Sequence, residues 1–409
     1  TEGMHYPKSK TAMISFPLGG IGSGCIGLGG NGALLDWEIF NRPNKGSRCG
    51  LTHFCLRAEQ QGRILDCRIL NGDLPPPYAG SLGAKAGTHA GFGWGPEENT
   101  LCNWPHFRKH AFQAQYPFAT VQFGGENFPA RLSLTGWSVL IPGQDRDSSL
   151  PAAFLEIKVK NSLSAAVDYT AVGVLDNPWG REEHSFNAVS GNQLTVCSGG
   201  DPQDFQYGDL TLTVDEQCRD LSFQEYFFQG AWRDHQESYY YDLLRGGRFL
   251  NRHYDHPAKG LKIGLMAAHF RLEPGQTRTV RFIITWNVPN RRNDWRPDAE
   301  EKAAAAGIPN RWKNYYATQW QDSRESGKYA LQEYSRLRRD SGKFAAALAG
   351  STWPKEIADA VSANLAVLKS PTCLRLEDGT FYGWEGVGQS WGSCEGSCTH
   401  VWNYAQVLP

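Results

Sequence analysis

Near residue 290 the hydrophobic period of this chain changes, and that change constrains its fold more than any other feature. Between about Phe118 and Val288 apolar and polar residues alternate. Leu155, Ile157 and Val159 alternate with Glu156, Lys158 and Lys160, and Val280, Phe282, Ile284 and Trp286 alternate with Arg281, Ile283 and Thr285. Successive side chains of a strand point to opposite faces, so this period predicts strands with one face buried. Turn chemistry separates the runs at Gly124-Gly125-Glu126-Asn127, Asp176-Asn177-Pro178 and Glu273-Pro274-Gly275-Gln276. Many short strands with no alternating helices predict a large antiparallel β-sandwich.

Beyond Asn290 the spacing is helical. Pro297 to Ala306 predicts a short helix with Pro at its start and Gly307 past its end, and Tyr329 to Leu348 contains a second, longer helical stretch. Ser351 and Thr352 can cap a third that runs through Lys369, with Ile357, Val361, Leu365 and Leu368 on one face. A Gly/Trp-rich loop follows Pro371, and Thr399 can cap a further helix beginning at His400. One or two amphipathic helices cannot bury their stripes alone, so the chain reads as the first part of a longer polypeptide. The predicted organisation is a sandwich over 1–295, a helical linker over 296–350, and a truncated helical domain over 351–409.

Charge and composition exclude several classes. The 409 residues carry 41 Lys+Arg against 42 Asp+Glu, a net charge of -1, which disfavours nucleic acid and anionic membrane surfaces as partners. The uncharged run from Thr11 to Leu35 holds Pro17 and many glycines in place of Leu, Ile, Val and Phe, so no transmembrane segment is predicted there. No signal-peptide pattern opens the chain, and Thr1 in place of a start Met predicts that residues precede it. Ten cysteines are dispersed through this large chain, which predicts reduced thiols and a cytoplasmic location.

Several motifs reduce to structural readings. Gly22 to Gly27 and Gly27 to Gly32 both satisfy G-x-G-x-x-G, yet no helical pattern follows to receive a pyrophosphate, so a closely packed Gly-rich hairpin is predicted there and no dinucleotide cofactor. His106 and His110 have zinc-protease spacing but lack the Glu that would act as base. His253 and His256 lie in a polar loop. Cys394, Cys398 and His400 form a denser set, but a closed site needs a fourth ligand, so no metal is assigned. Tyr382, Trp384, Trp391, Trp402 and Tyr404 fall in loop and helix-start positions, where rings either stack on sugars or pack the loop. Carboxylates are too many for a catalytic pair to be located by spacing.

Three stretches resemble glycoside hydrolase family 116, which contains bacterial and archaeal β-glucosidases and the animal non-lysosomal glucosylceramidase. They are Phe16-Pro-Leu-Gly-Gly-Ile-Gly-Ser-Gly24 continuing to Asp36-Trp-Glu-Ile-Phe-Asn-Arg-Pro43; Asp147-Ser-Ser-Leu-Pro-Ala-Ala153; and Cys398-Thr-His-Val-Trp-Asn-Tyr404. The resemblance implies an N-terminal β-sandwich on a C-terminal (α/α)6 barrel, of which this chain would hold only the first helices. It also implies retaining hydrolysis of β-glucosides, with a Glu nucleophile and an Asp acid/base. In the family's chain order both follow the Thr-His-Val-Trp-Asn-Tyr motif, so neither is assigned to a residue here, and the chain alone is expected to be inactive.

If Thr399 caps an inner barrel helix, His400, Trp402 and Asn403 stand at its first turn, facing a sugar pocket. Trp384 and Glu385 in the preceding loop would border the same cleft. The alternative is that His400 and Asn403 satisfy backbone groups at the helix start and Trp402 packs between helices. The expected partners are a β-glucoside substrate and the absent remainder of the barrel. Two other readings stand beside this one. The chain is a non-catalytic carbohydrate-binding or scaffolding module, or the enzyme is a β-xylosidase or β-N-acetylglucosaminidase.

Overall fold

The computed structural model describes residues 3–74, 98–124, 127–215, 217–227, 235–256, 260, 262–293, 297–384, 388 and 390–391. The alternating region folds as expected into antiparallel sheets. One has nine strands in the order Met4–Pro7, Lys109–Gln115, Phe118–Gly124, Ala130–Trp137, Ala152–Asn161, Thr277–Asn287, Asp209–Val214, Gln193–Cys197 and Phe186–Ser190. A second has five, in the order Leu221–Gln224, Ile263–Leu272, Val167–Asp176, His53–Gln60 and Arg63–Ile69. Leu155, Ile157, Val159, Val280, Phe282, Ile284 and Trp286 are all buried, as their period requires. The sheets meet at Phe54 and Phe282, whose ring centroids lie 5.1 Å apart, and at Gly173, where a Cβ would crowd Leu212 and Phe282. The Glu273–Gln276 turn closes with Gln276 N–H donating to Glu273 C=O at 3.0 Å, and Gly275 takes φ 73°.

A third sheet, of three strands, was legible only as a Gly-rich hairpin. Ser15–Gly20 pairs antiparallel with Gly24–Gly29, and Leu34–Glu38 lies on the other side. Its Leu18 and Leu28 press on Gly136 of the nine-stranded sheet, where a Cβ would stand 2.9 Å from the first and 2.8 Å from the second. This pairing rules out a strand-to-helix nucleotide turn.

The helical region begins against the sandwich. Ala299–Ala306 ends at Gly307 with φ 62°, as the sequence predicts. The longer helical stretch expected within Tyr329 to Leu348 is Tyr334–Ala349, and a further helix, Ser323–Gln332, precedes it and meets it at Glu333. The Asp322 carboxylate caps the first by accepting from Glu325 N–H at 2.8 Å. This helix lies on the Thr-rich outer face of the nine-stranded sheet. Ser323 N–H donates to Asp209 at 2.7 Å, Thr285 Oγ1 donates to Ser323 C=O at 2.6 Å, and a Cβ on Gly327 would stand 2.6 Å from Thr213 Oγ1. Burial raises the Asp209 carboxyl to about 6. Farther along, Tyr334 sits edge-on to Trp137 and Phe154, and Arg338 bonds Glu156 at 2.6 Å. Both helices thus cover the outer face of the sheet, the first through the small residues Ser323, Ser326, Gly327 and Ala330, the second through Tyr334, Leu337 and Ala345.

The helix expected from Ser351 through Lys369 is shorter. It runs Lys355–Leu365, with Pro354 at its N-cap, and continues as a 3-10 turn over Ala366–Lys369. Pro354 holds the preceding residue away from helical backbone, so Ser351 and Thr352 are not its caps. Ile357 is 47% exposed, and Val361 and Leu365 are half-buried. Another element missed by period two is the helix His235–Leu244, which covers the far face of the five-stranded sheet through Tyr239.

Candidate functional site

Two of the three family-like stretches meet in space at the tip of the Gly-rich hairpin. Ile21 N–H donates to Ser148 C=O at 2.8 Å, and Trp286 Nε1–H donates to Ser23 C=O at 2.7 Å, tying the tip to the 145–150 turn and to a central strand. Two glycines permit this approach. Gly22 has φ 71°, and a Cβ there would stand 2.5 Å from Arg375 Cβ; Gly24 has φ 79°, and its Cβ would stand 2.2 Å from the Glu38 carbonyl oxygen. From the segment after Glu38, Asn41 Nδ2 donates to Asn290 C=O at 2.9 Å and to Val288 C=O at 3.2 Å. Asn314 Nδ2 donates to Asn41 Oδ1 at 2.6 Å and to Val288 C=O at 2.8 Å. These amides bridge backbone groups that no ladder satisfies.

The segment that leads away from the helical region is fastened to the same tip. Lys369, fully buried, donates from Nζ to Val139 C=O at 2.5 Å and to Ser148 C=O at 2.7 Å. Arg375 donates to Asp145 at 2.7 Å and to Ser149 Oγ at 3.2 Å, and its guanidinium lies 3.5 Å from the centroid of Tyr315. Tyr315 N–H returns a bond to Arg375 C=O at 3.0 Å. Asp147 accepts from Arg336 at 2.7 Å and from Tyr329 at 2.5 Å, which locks the turn to the helices.

Burial lowers the Lys369 ammonium to about 7. The unfolded lysine stays charged to a pKa of about 10.4, so above pH 7 this group binds more proton in the unfolded chain and its contribution to stability rises with pH. Between pH 7 and 8.5 that contribution grows by about 1.5 kcal/mol, while the buried thiols, which ionise near pH 8.5 once unfolded, act in the opposite direction. Urea unfolding of the native chain and of Lys369→Met across that window should differ by this rise, since the thiols are common to both chains and cancel. Equal slopes would mean that the two carbonyls hold the ammonium charged throughout.

A crevice of about 10 Å³ runs between the tip and the exit segment, lined by Gly22, Glu38, Asn41, Arg42, Arg291 and Cys373 among others. It is too small for a sugar ring. Its Glu38 carboxylate is buried, accepts from Lys45 at 2.8 Å and from Asn44 N–H at 3.2 Å, and receives the Cys25 thiol at 3.7 Å. These contacts assign Glu38 to holding the loop. The chemistry of this site is positional, since its charged groups fix two loops and an outgoing strand pair, Cys373–Arg375 with Phe381–Gly383.

Of the predicted site residues, Trp384 follows that strand pair directly. It is 3% exposed, and its N–H donates to Thr372 C=O at 2.7 Å. Glu385, Thr399, His400, Trp402 and Asn403, with Cys394 and Cys398, lie outside the described residues. His106 and His110 do not converge: the first pairs with Asp73 at 2.7 Å and the second with Thr11 Oγ1 at 2.9 Å. His253 pairs with Glu225 at 2.9 Å. Among the described residues no group of three or more His, Cys, Asp or Glu could hold a metal ion. None of their helices is long and apolar enough to cross a membrane. Sequence reasoning missed Lys369, Arg375, Asn41 and Asn314. Lys369 left a faint signal, a charge ending an apolar helical run.

The family model described as "beta-glucosidase 2, glycosyl-hydrolase family 116 N-term" matches residues 15–337. The chain belongs to glycosyl-hydrolase family 116. Its match takes in the hairpin, the 36–43 and 147–153 stretches, and both helices of the outer layer up to residue 337. A search of curated proteins finds no match. Solved structures give faint similarities. A protein assigned as a kojibiose phosphorylase, from the human microbiome, is 11% identical over 89% of this family 116 chain and 34% of its own, with a TM-score of 0.32. The Slr1438 protein of Synechocystis sp. PCC 6803 is 11% identical over 70% and 96%, at 0.26. A family GH92 α-mannosidase of Bacteroides thetaiotaomicron is 9% identical over 93% and 43%, at 0.22. The chain spans about a third of the first protein's length. Scores this low carry no weight on fold or function.

Proposed function

We propose that the protein is a glycoside hydrolase that cleaves β-glucosides with retention, and that this chain supplies the sandwich side of the enzyme. In this reading residues 1–295 form the sandwich and 296–350 a helical linker clasped to its outer face. Residues 351–409 open an (α/α)6 barrel. A Glu nucleophile forms a glycosyl-enzyme and an Asp serves as acid, then base; neither is assigned to a residue of this chain. Thr399, His400, Trp402 and Asn403 are proposed to bind the sugar at the barrel mouth, with Trp384 and Glu385 beside them.

The observation that carries this reading is the family match over 15–337. The geometry supports it: the Gly-rich tip, the 145–150 turn, Lys369 and Arg375 together hold the strand pair that delivers Trp384. The half-covered Ile357, Val361 and Leu365 stripe also supports a helical layer that continues. Incubation of the purified chain with an aryl β-glucoside tests the assignment. The expected result is no release above the uncatalysed rate; turnover by pure chain would place a catalytic pair within it. Parallel β-xyloside and β-N-acetylglucosaminide assays of the longer protein rank the glycone, and preference for either over glucoside would overturn the β-glucoside reading.

A further inference from the structure

Two thiols lie together on the far face of the five-stranded sheet and take no part in the glycosidase reading. Cys55 belongs to His53–Gln60 and Cys67 to the edge strand Arg63–Ile69. In the register Cys55 stands opposite Ile69 and Arg57 opposite Cys67, so the cysteines are diagonal neighbours one pleat apart on one face. Their sulfurs are 3.4 Å apart, and both are free. They share a satellite core with Leu51, Trp104, Val172, Val174 and Tyr239, roofed by the helix His235–Leu244.

Burial alone makes a cysteine inert. A second thiol within 3.4 Å removes the need for an outside sulfur to complete a bridge. A disulfide needs its sulfurs about 2.05 Å apart with the Cβ atoms about 3.5–4.5 Å apart, and diagonal neighbours ordinarily stand wider than this, so closure requires the edge strand to shift toward its neighbour. The hydrogen bond with the Cys67 thiol, and then burial, hold Cys55 protonated in the closed state. Reaction therefore follows local opening of the helical roof.

We propose that Cys55 and Cys67 are a redox-active dithiol that closes to a disulfide within the hairpin and staples the edge strand to its neighbour. The step breaks two S–H bonds and forms one S–S bond; two protons and two electrons pass to the oxidant. With hydrogen peroxide both oxygens leave as water, and with an azodicarboxamide such as diamide both hydrogens end on its nitrogens, giving the hydrazine. A dithiol reductant reverses the step by exchange.

The test treats the folded chain with diamide, quenches in acid, alkylates under denaturing conditions and digests with trypsin. Arg57 and Arg63 lie between the two cysteines, so trypsin separates them unless they are bridged. The expected product is a linked pair of peptides, 49–57 with 64–68, lacking two hydrogens. Fragmentation should place the bridge on Cys55 and not on Cys49. The product should vanish on dithiothreitol treatment, and in Cys55→Ser and Cys67→Ser. Amide exchange over 63–69 should slow several-fold in the bridged chain. Full alkylation of both thiols after oxidation of the folded chain would overturn the proposal, provided that the same reagent oxidises the denatured chain. A bridge to Cys49 would overturn it equally.

Discussion

Gly24→Val should destabilise the chain by about 3–5 kcal/mol, read as a fall in the urea midpoint at unchanged slope. Two costs add. A β-branched side chain is forced to φ 79°, and its Cβ meets the rigid Glu38 carbonyl, which cannot turn aside without breaking the pairing of the third sheet. Gly24→Ala keeps the strain and the first collision but adds no branches, so it should fall between the native chain and the valine variant. A loss below about 1 kcal/mol for valine would show that the hairpin tip yields, and that it is not the fixed point on which the loops are built.

Trp286→Ala should cost about 3–5 kcal/mol, since it removes a fully buried indole from the centre of the nine-stranded sheet and leaves a cavity beneath the hairpin. Trp286→Phe separates two contributions. It keeps most of the ring but deletes the 2.7 Å bond from Nε1–H to Ser23 C=O, for an expected loss of about 1–3 kcal/mol from an unpaired buried carbonyl. Because Trp286 touches the tip that Gly24 permits, the two sites should couple. Trp286→Phe combined with Gly24→Ala should cost less than the sum, as the second change acts on a tip already loosened. Strict additivity would mean that the indole and the tip are held independently.

How far the sequence foretold this arrangement depends on how local each cause is. Leu155, Ile157, Val159 and the Val280–Trp286 run lie where period two puts them, because alternation is written into each strand by itself. The turn at Glu273–Gln276 was legible for the same reason, with Pro and Gly at the positions that a type II turn demands. The late start of the Lys355–Leu365 helix is local too, since Pro354 stands in the sequence and excludes Ser351 and Thr352 as caps. The break at Glu333 is not, because it follows from how each helix lies on the sheet. His235–Leu244 was missed inside a β-rich stretch because its stripe is weakly apolar and its Tyr239 is buried by partners from four other segments, at His53, Trp104, Phe227 and Phe249.

The candidate site was legible as motif and illegible as geometry. The resemblance singled out 16–24, 36–43 and 147–153, and the structure places all three around one hairpin. What fastens them, Lys369 and Arg375 with the amides of Asn41 and Asn314, depends on partners more than 200 residues away in most cases, such as Val139 and Ser148 for Lys369 and Asn314 for Asn41. Pair contacts at that separation leave no period and no spacing in a single sequence.

The hairpin tip, the 145–150 turn and the 367–375 exit segment should behave as one mechanical unit that positions the strand pair leading to Trp384. Native-state hydrogen exchange on the intact chain measures this most directly. The amides of Ile21, Leu150 and Cys373, which bond Ser148, Asp147 and Ser370, should open with one common free energy. Gly24→Val should lower all three together. Exchange at Cys373 that stays unchanged in the valine variant, while Ile21 loses its protection, would contradict the claim.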